Sequence, residues 1–325
     1  MEFLVVGGQQ KQAFSLPQEE FTRFGNAVVA RYTDKGEGVL AFEYVTPPEA
    51  RPDGKEASVL FKSSSISGDK LHLCTQTELL TCRLTDFELL NRISLPMFND
   101  VHHVVESKNG TLLVAVTGLD MVVRLAPDGT VLEQWNTLGR DPWAKWSQNE
   151  DYRKWLTTKP HASHPNFVFE YGDEVWVSRF EQKDAICLNA PERRINIGQE
   201  RPHDGHVSGD RVYFTTVDGH VVIADLISAE VLDVIDLHAC DPDSSHTGWS
   251  RGLKIIDEDH VLVGFSTLRV TKFRENVRWM KHRFGMIEQP KPTPTHVALY
   301  NLTQRRLVWR HMLDSPQVDV IFSIL

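Results

Sequence analysis

Seven of the 14 histidines in this 325-residue chain fall at one phase of a recurring pattern. His102 and His103, His161 and His164, His203 and His206, and His246 each stand just ahead of, or at the start of, a run of apolar residues. His72, His220, His260, His296 and His311 share no such phase. Neutral imidazole is a good ligand for zinc, iron, copper and nickel, and brings no net charge to a site. Ligands supplied one per rigid strand would fix an ion's geometry and leave a coordination position open, the mark of a catalytic metal site. One histidine per repeat gives His103, His164, His203 and His246. His102, His161 and His206 are the alternates, since a slip of one residue along a strand reverses the direction of the side chain. Arg251 would clamp a substrate carboxylate, and Asp204 and Asp319 would orient imidazoles from behind. The expected centre is thus a divalent ion, iron by preference and zinc or manganese as alternatives, with Arg251 and Asp204 as the catalytic candidates beside it.

The elements that position these residues are short strands punctuated by Gly, Asp or Asn. The first repeat runs from Ser63 through the turn Gly68-Asp69 to Leu71–Thr75, Leu79–Leu84 and Leu90–Ile93. The second has Asn109-Gly110, Leu112–Val116, Met121–Leu125 and Val131–Trp135; the third has Gly172-Asp173, Val175–Ser178, Ala185–Leu188 and Arg194–Ile197. The fourth is the stretch 201–225 with Val231–Leu237, and the fifth holds Leu253–Ile256, Val261–Phe265, Val297–Tyr300 and Leu307–Trp309. Sheet units recurring at this spacing indicate a propeller or a solenoid, and strands apolar on both faces suit sheets stacked on sheets. In a propeller the histidine-bearing segment would line the central channel. The strand 318–325 would join the N-terminal strands Ala27–Thr33 and Val39–Val45 and close the ring, removing two open edges. The expected fold is all-β: one propeller domain over 1–325, blade repeats over about 59–315, six blades favoured and five the alternative. Two insertions, about 140–156 and 272–286, place tryptophans and other apolar residues at near-helical intervals and are expected as helices capping one face. Arg274, Arg278, Lys281 and Arg283 would then offer cations to an anionic substrate.

Composition narrows the function classes. A hydrophobic fraction of 41% and a charged fraction of 24% are those of an ordinary globular protein, and the net charge of −9 leaves no electrostatic footprint for nucleic acid or anionic membrane. No apolar run reaches the length of a membrane helix, and Met1–Gly8 lacks the basic start of a signal peptide. Cys74, Cys82, Cys187 and Cys240 show no Cys-x-x-Cys spacing and sit among strand residues, so buried thiols and a cytoplasmic location are expected. There is no phosphate-binding GKS/T loop, no GxSxG elbow and no HExxH, and Gly7-Gly8 lacks the dinucleotide-binding spacing.

The run from His102-His103 through Asn109-Gly110 to Leu112–Ala115 resembles the blade unit of NHL-type and arylsulfotransferase-type propellers, and the likeness extends over Val59–Trp309. The histidine set resembles the four-histidine axis of the carotenoid-cleaving oxygenases, which holds iron(II) and activates dioxygen; that resemblance is to the constellation alone. SMP-30-like lactonases offer another template, to which Asn166 would correspond, though the acidic set is missing here. Three function classes stand side by side. One is a metal-dependent enzyme acting on a small polar or anionic molecule, an oxygenase with iron or a lyase or hydrolase with zinc or manganese. The others are a metal-free transferase or lyase using a histidine acid or base, and a non-enzymatic scaffold.

Overall fold

In the computed structural model, which describes residues 1–11, 20–52, 57–241, 248–267 and 294–325, the chain forms six four-stranded antiparallel sheets. Five of them take consecutive strands in chain order, inner to outer. Their inner strands are Ser65–Ser67, Val101–Glu106, Pro165–Tyr171, Pro202–Ser208 and Gly248–Ile255. The sixth is assembled from both ends: Val320–Ile324 is innermost, followed by Glu2–Gln10, Phe24–Thr33 and Gly38–Tyr44. This is the six-bladed all-β propeller, closed by pairing the last strand with the first.

Alternation along each strand explains why the blades stack. Leu112, Val114 and Val116 pack with Cys74, Leu79 and Phe98 of the first blade, whereas Leu113 and Ala115 pack with Val168, Val175 and Val177 of the third. Side chains of successive strand residues point to opposite faces, so a strand buried against two neighbours must be apolar at every position. The same arrangement recurs at the other blade interfaces, including Phe3, Val5 and Val28 against Leu262 and Val297, and Leu4 and Val6 against Phe61 and Leu73. Outer strands such as Val131–Asn136 are half-exposed. Closure brings backbones so near that a Cβ on Gly7 would lie 1.8 Å from the Val320 carbonyl oxygen. The Gly7-Gly8 pair therefore serves the seam of the ring.

One expectation changes. The segment 140–156 forms no α-helix; it is a chain of tight turns ending in a 3-10 turn at Tyr152–Lys154. Asp141 accepts the Trp143 N–H, and Trp146 N–H bonds back to Trp143 O, so the three-residue tryptophan spacing serves successive turns. Both indoles pack on the second blade and donate to Gln134 Oε1 and Leu119 O. The insertion 272–286 lies outside the described residues. Cys74 pairs with Leu79 and Cys82 with Leu71, so the two thiols do not face each other; all four cysteines are free and buried. Among the described residues no helix is long and apolar enough to cross a membrane.

Candidate functional site

The histidine phase read from the sequence divides between the two mouths of the channel. At the mouth where inner strands begin, His102, His161, His164 and His203 come together. His102 and His164 have ring centroids 4.8 Å apart, His161 and His164 4.9 Å, and His102 and His203 6.1 Å. Asp100 and Lys62, neither of which was singled out from the sequence, join them: Lys62 Nζ lies 3.0 Å from Asp100 Oδ1, with both side chains buried. One ligand atom each from Asp100, His161 and His164 fall within 4.8 Å of one another. Arg251 completes the group, its guanidinium 4.5 Å from the centroid of Phe322, over which Lys62 also lies at 4.7 Å.

His103 is the neighbour of His102 on the same strand and so faces the other way. Its ring packs on Phe167 at 4.9 Å, its Nδ1 accepts the Val168 N–H, and it lines the opposite mouth together with Asp204 and His206. The slip of one residue in the second blade thus puts His102 in the cluster in place of His103. Asp319 accepts the Gln10 N–H and the Gln317 amide at the closing blade and orients no imidazole among the described residues. His246 lies outside the described residues.

The loop carrying His161 and His164 is held by one carboxylate. Asp120, buried and itself in the left-handed region (φ 55), accepts the backbone N–H groups of Ala162, Ser163 and His164 at 2.9, 2.8 and 2.9 Å. His164 also has φ 56, a conformation that costs a non-glycine residue energy and persists where the surroundings impose it. Thr158 Oγ1 donates to Gly118 O at 2.6 Å, so it can only accept from His161 Nε2–H at 3.2 Å. The neutral ring of His161 then presents its lone pair at Nδ1, which lies 2.7 Å from His164 Nδ1. His102 Nδ1 donates to the Asp100 carbonyl at 2.9 Å, which leaves its lone pair on Nε2.

Burial sets the protonation states. It pushes His102 down to about 3, with Lys62 adding to the effect, and holds His164 and His203 well below the usual imidazole range, Arg251 assisting at His203. His161 is lowered for the same reason. Burial would raise Asp100, but the Lys62 charge beside it prevails and keeps the carboxyl well below its ordinary value. The mouth therefore offers neutral imidazoles and one carboxylate, flanked by two cations. Two buried atoms, His203 Nδ1 and Asn166 Oδ1, have no hydrogen-bond partner among the described residues. Asp204 lies deeper: burial raises its carboxyl to about 7, although nearby backbone N–H groups of Gly205, Leu253 and Gly252 and the Ser63 side chain act to lower it.

No protein-family model matches the chain, and no curated protein sequence matches it. Among solved structures, a protein of unknown function from Bacteroides caccae superposes with a TM-score of 0.60 at 12% identity, covering 99% of this chain and 97% of that one. That likeness is one of fold alone. The C-terminal WD40 domain of Sif2 gives 0.48 at 12% identity over 99% of this chain and 82% of that one. A catalytically inactive virginiamycin B lyase from Staphylococcus aureus with quinupristin gives 0.47 at 12% identity, over 73% and 69% of the two chains. At these scores neither carries a functional argument.

Proposed function

We propose that this propeller is a metal-dependent enzyme that holds a divalent ion at the histidine mouth and acts on a small anionic molecule. The observation that carries the proposal is the grouping of Asp100, His161 and His164 within ligand reach of one another. Two imidazoles and a carboxylate with open positions suit iron(II) and also zinc. Iron would bring dioxygen chemistry; zinc or manganese would polarise a substrate oxygen or make a hydroxide from bound water. Lys62 and Arg251, buried around Phe322, are placed to receive the negative charge of a substrate, and the dry surroundings strengthen that attraction. His102 and His203 stand beside the ion's position as proton carriers or further ligands.

A metal-free reading has its own observation. The His161–His164 contact and the Lys62–Asp100 ion pair satisfy one another without an ion, leaving a histidine pair able to move a proton. Elemental analysis separates the two. Chelator-stripped protein reloaded with iron(II), zinc or manganese should retain about one ion per chain, and His161→Ala/His164→Ala should lose it. Equal metal content in the double variant, or none in either protein, would leave the metal-free reading standing.

A further inference from the structure

The opposite mouth of the channel is a separate cavity of about 390 Å³, a size usual for small-molecule sites. Ser65, His103, Phe167, His206, Leu253 and Lys254 are among the residues that line it. Its acceptors are taken. Glu106 is shared between His72 Nε2 at 2.9 Å and Lys70 Nζ at 3.1 Å, and Glu170 pairs with Arg124 at 2.9 Å. The Asp204 carboxyl faces backbone N–H groups of Gly205, Gly252 and Leu253.

Its donors are not. Lys254 is half-buried on the inner strand of the fifth blade, and no carboxylate among the described residues pairs with its ammonium. Burial alone accounts for its lowered pKa, and its charge in turn lowers that of His206 after burial. Ser65 Oγ is buried and has no hydrogen-bond partner among the described residues. His103 accepts the Val168 N–H at Nδ1, so its neutral ring carries its proton on Nε2. A half-buried cation and unmatched donors carry a cost that an arriving acceptor would relieve. Phe167 and Leu253 supply apolar wall beside them.

We infer that this mouth is a second ligand site, distinct from the histidine cluster, that takes a small monocarboxylate with an apolar body. The carboxylate sits against Lys254, with Ser65 and His103 as further donors, and the body lies along Phe167 and Leu253. This inference does not depend on a metal at the other mouth.

Calorimetric titration of the intact chain with phenylacetate, and with phenylacetamide as its neutral counterpart, tests it. Phenylacetate should bind saturably and more tightly than the amide. Lys254→Gln should weaken it about tenfold or more, the range expected for loss of a charged hydrogen bond. Ser65→Ala, a smaller change at a side chain with no hydrogen-bond partner among the described residues, should weaken it less and leave thermal stability unaltered. His161→Ala/His164→Ala should bind phenylacetate as the wild type does. No saturable binding, equal affinity for acid and amide, unchanged affinity in a folded Lys254→Gln, or loss of binding confined to the double histidine variant would each overturn the assignment. So would acetate binding as tightly as phenylacetate, since the apolar wall would then contribute nothing.

Discussion

Asp120→Asn removes a negative charge from behind the proposed metal site while keeping the side chain's shape. In the native chain Asp120 Oδ1 serves Ser163 and His164, and Oδ2 serves Ala162. With the amide oxygen in the Oδ1 position, two of these bonds survive but lose their charge, at about 1 kcal/mol each, the difference between charged and neutral hydrogen bonds. The amide NH2 then faces the Ala162 N–H. Ala162 is exposed, so its orphaned donor can reach water, at a cost of about 1 kcal/mol, the low end for an unpaired group. The sum, about 3 kcal/mol, should appear in urea unfolding of the chelator-treated protein followed by tryptophan fluorescence. Metal affinity should fall about tenfold or more, because the same bonds hold His164 at its positive φ. A loss under about 1 kcal/mol with unaltered metal affinity would show that Asp120 does not hold the loop, and the geometric argument for the site would fail.

Further outcomes follow from particular contacts. Gly7→Ala forces a Cβ against the Val320 carbonyl and should destabilise by about 3 kcal/mol, whereas Gly68→Ala, open on all sides but at φ 59, should cost about 1–2 kcal/mol; similar losses in denaturant midpoint would contradict the tight seam. Asp184→Asn leaves buried Arg179 without its two-point partner and should cost about 3–5 kcal/mol by the same assay, a loss under 1 kcal/mol counting against a structural role for the pair. Burial lowers His72, His161, His164, His203 and His206, and takes His102 and His103 to about 3. The unfolded chain therefore takes up protons near pH 6.5 that the folded chain refuses. Stability should be full above that pH and fall below it, by up to about 1.4 kcal/mol per pH unit for each such histidine. Denaturant midpoints of metal-free protein that stay flat from about pH 7.5 to about 5.5 would refute this.

The propeller was legible because blade stacking writes itself into the chain: Leu112–Val116 is apolar at every position since each face meets a different neighbour. The seam was harder to see, as Gly7-Gly8 carries no side chain to pattern and signals only a close backbone approach. Tryptophans at 143 and 146 suggested a helix because a three-residue spacing fits helix and serial turns alike. The histidine phase pointed to the channel, but a tetrad taken one per blade hid the difference between its two mouths. His102 and His103 sit on adjacent residues and open to opposite ends, which only the strand's register within its blade, irregular between Val101 and His103, decides. Asp100 and Lys62 had a faint signal: each is a lone charge just ahead of an inner strand, at the phase of the histidines.

X-ray absorption at the zinc edge of zinc-loaded protein tests the metal proposal most directly. Nitrogen and oxygen scatterers at about 2.0–2.1 Å, with the outer-shell signature of at least two imidazoles, should be present in the wild type and absent in His161→Ala/His164→Ala. An identical imidazole-bearing spectrum from the double variant, or zinc in the wild type with no imidazole scattering, would place any bound ion elsewhere and contradict the proposed centre.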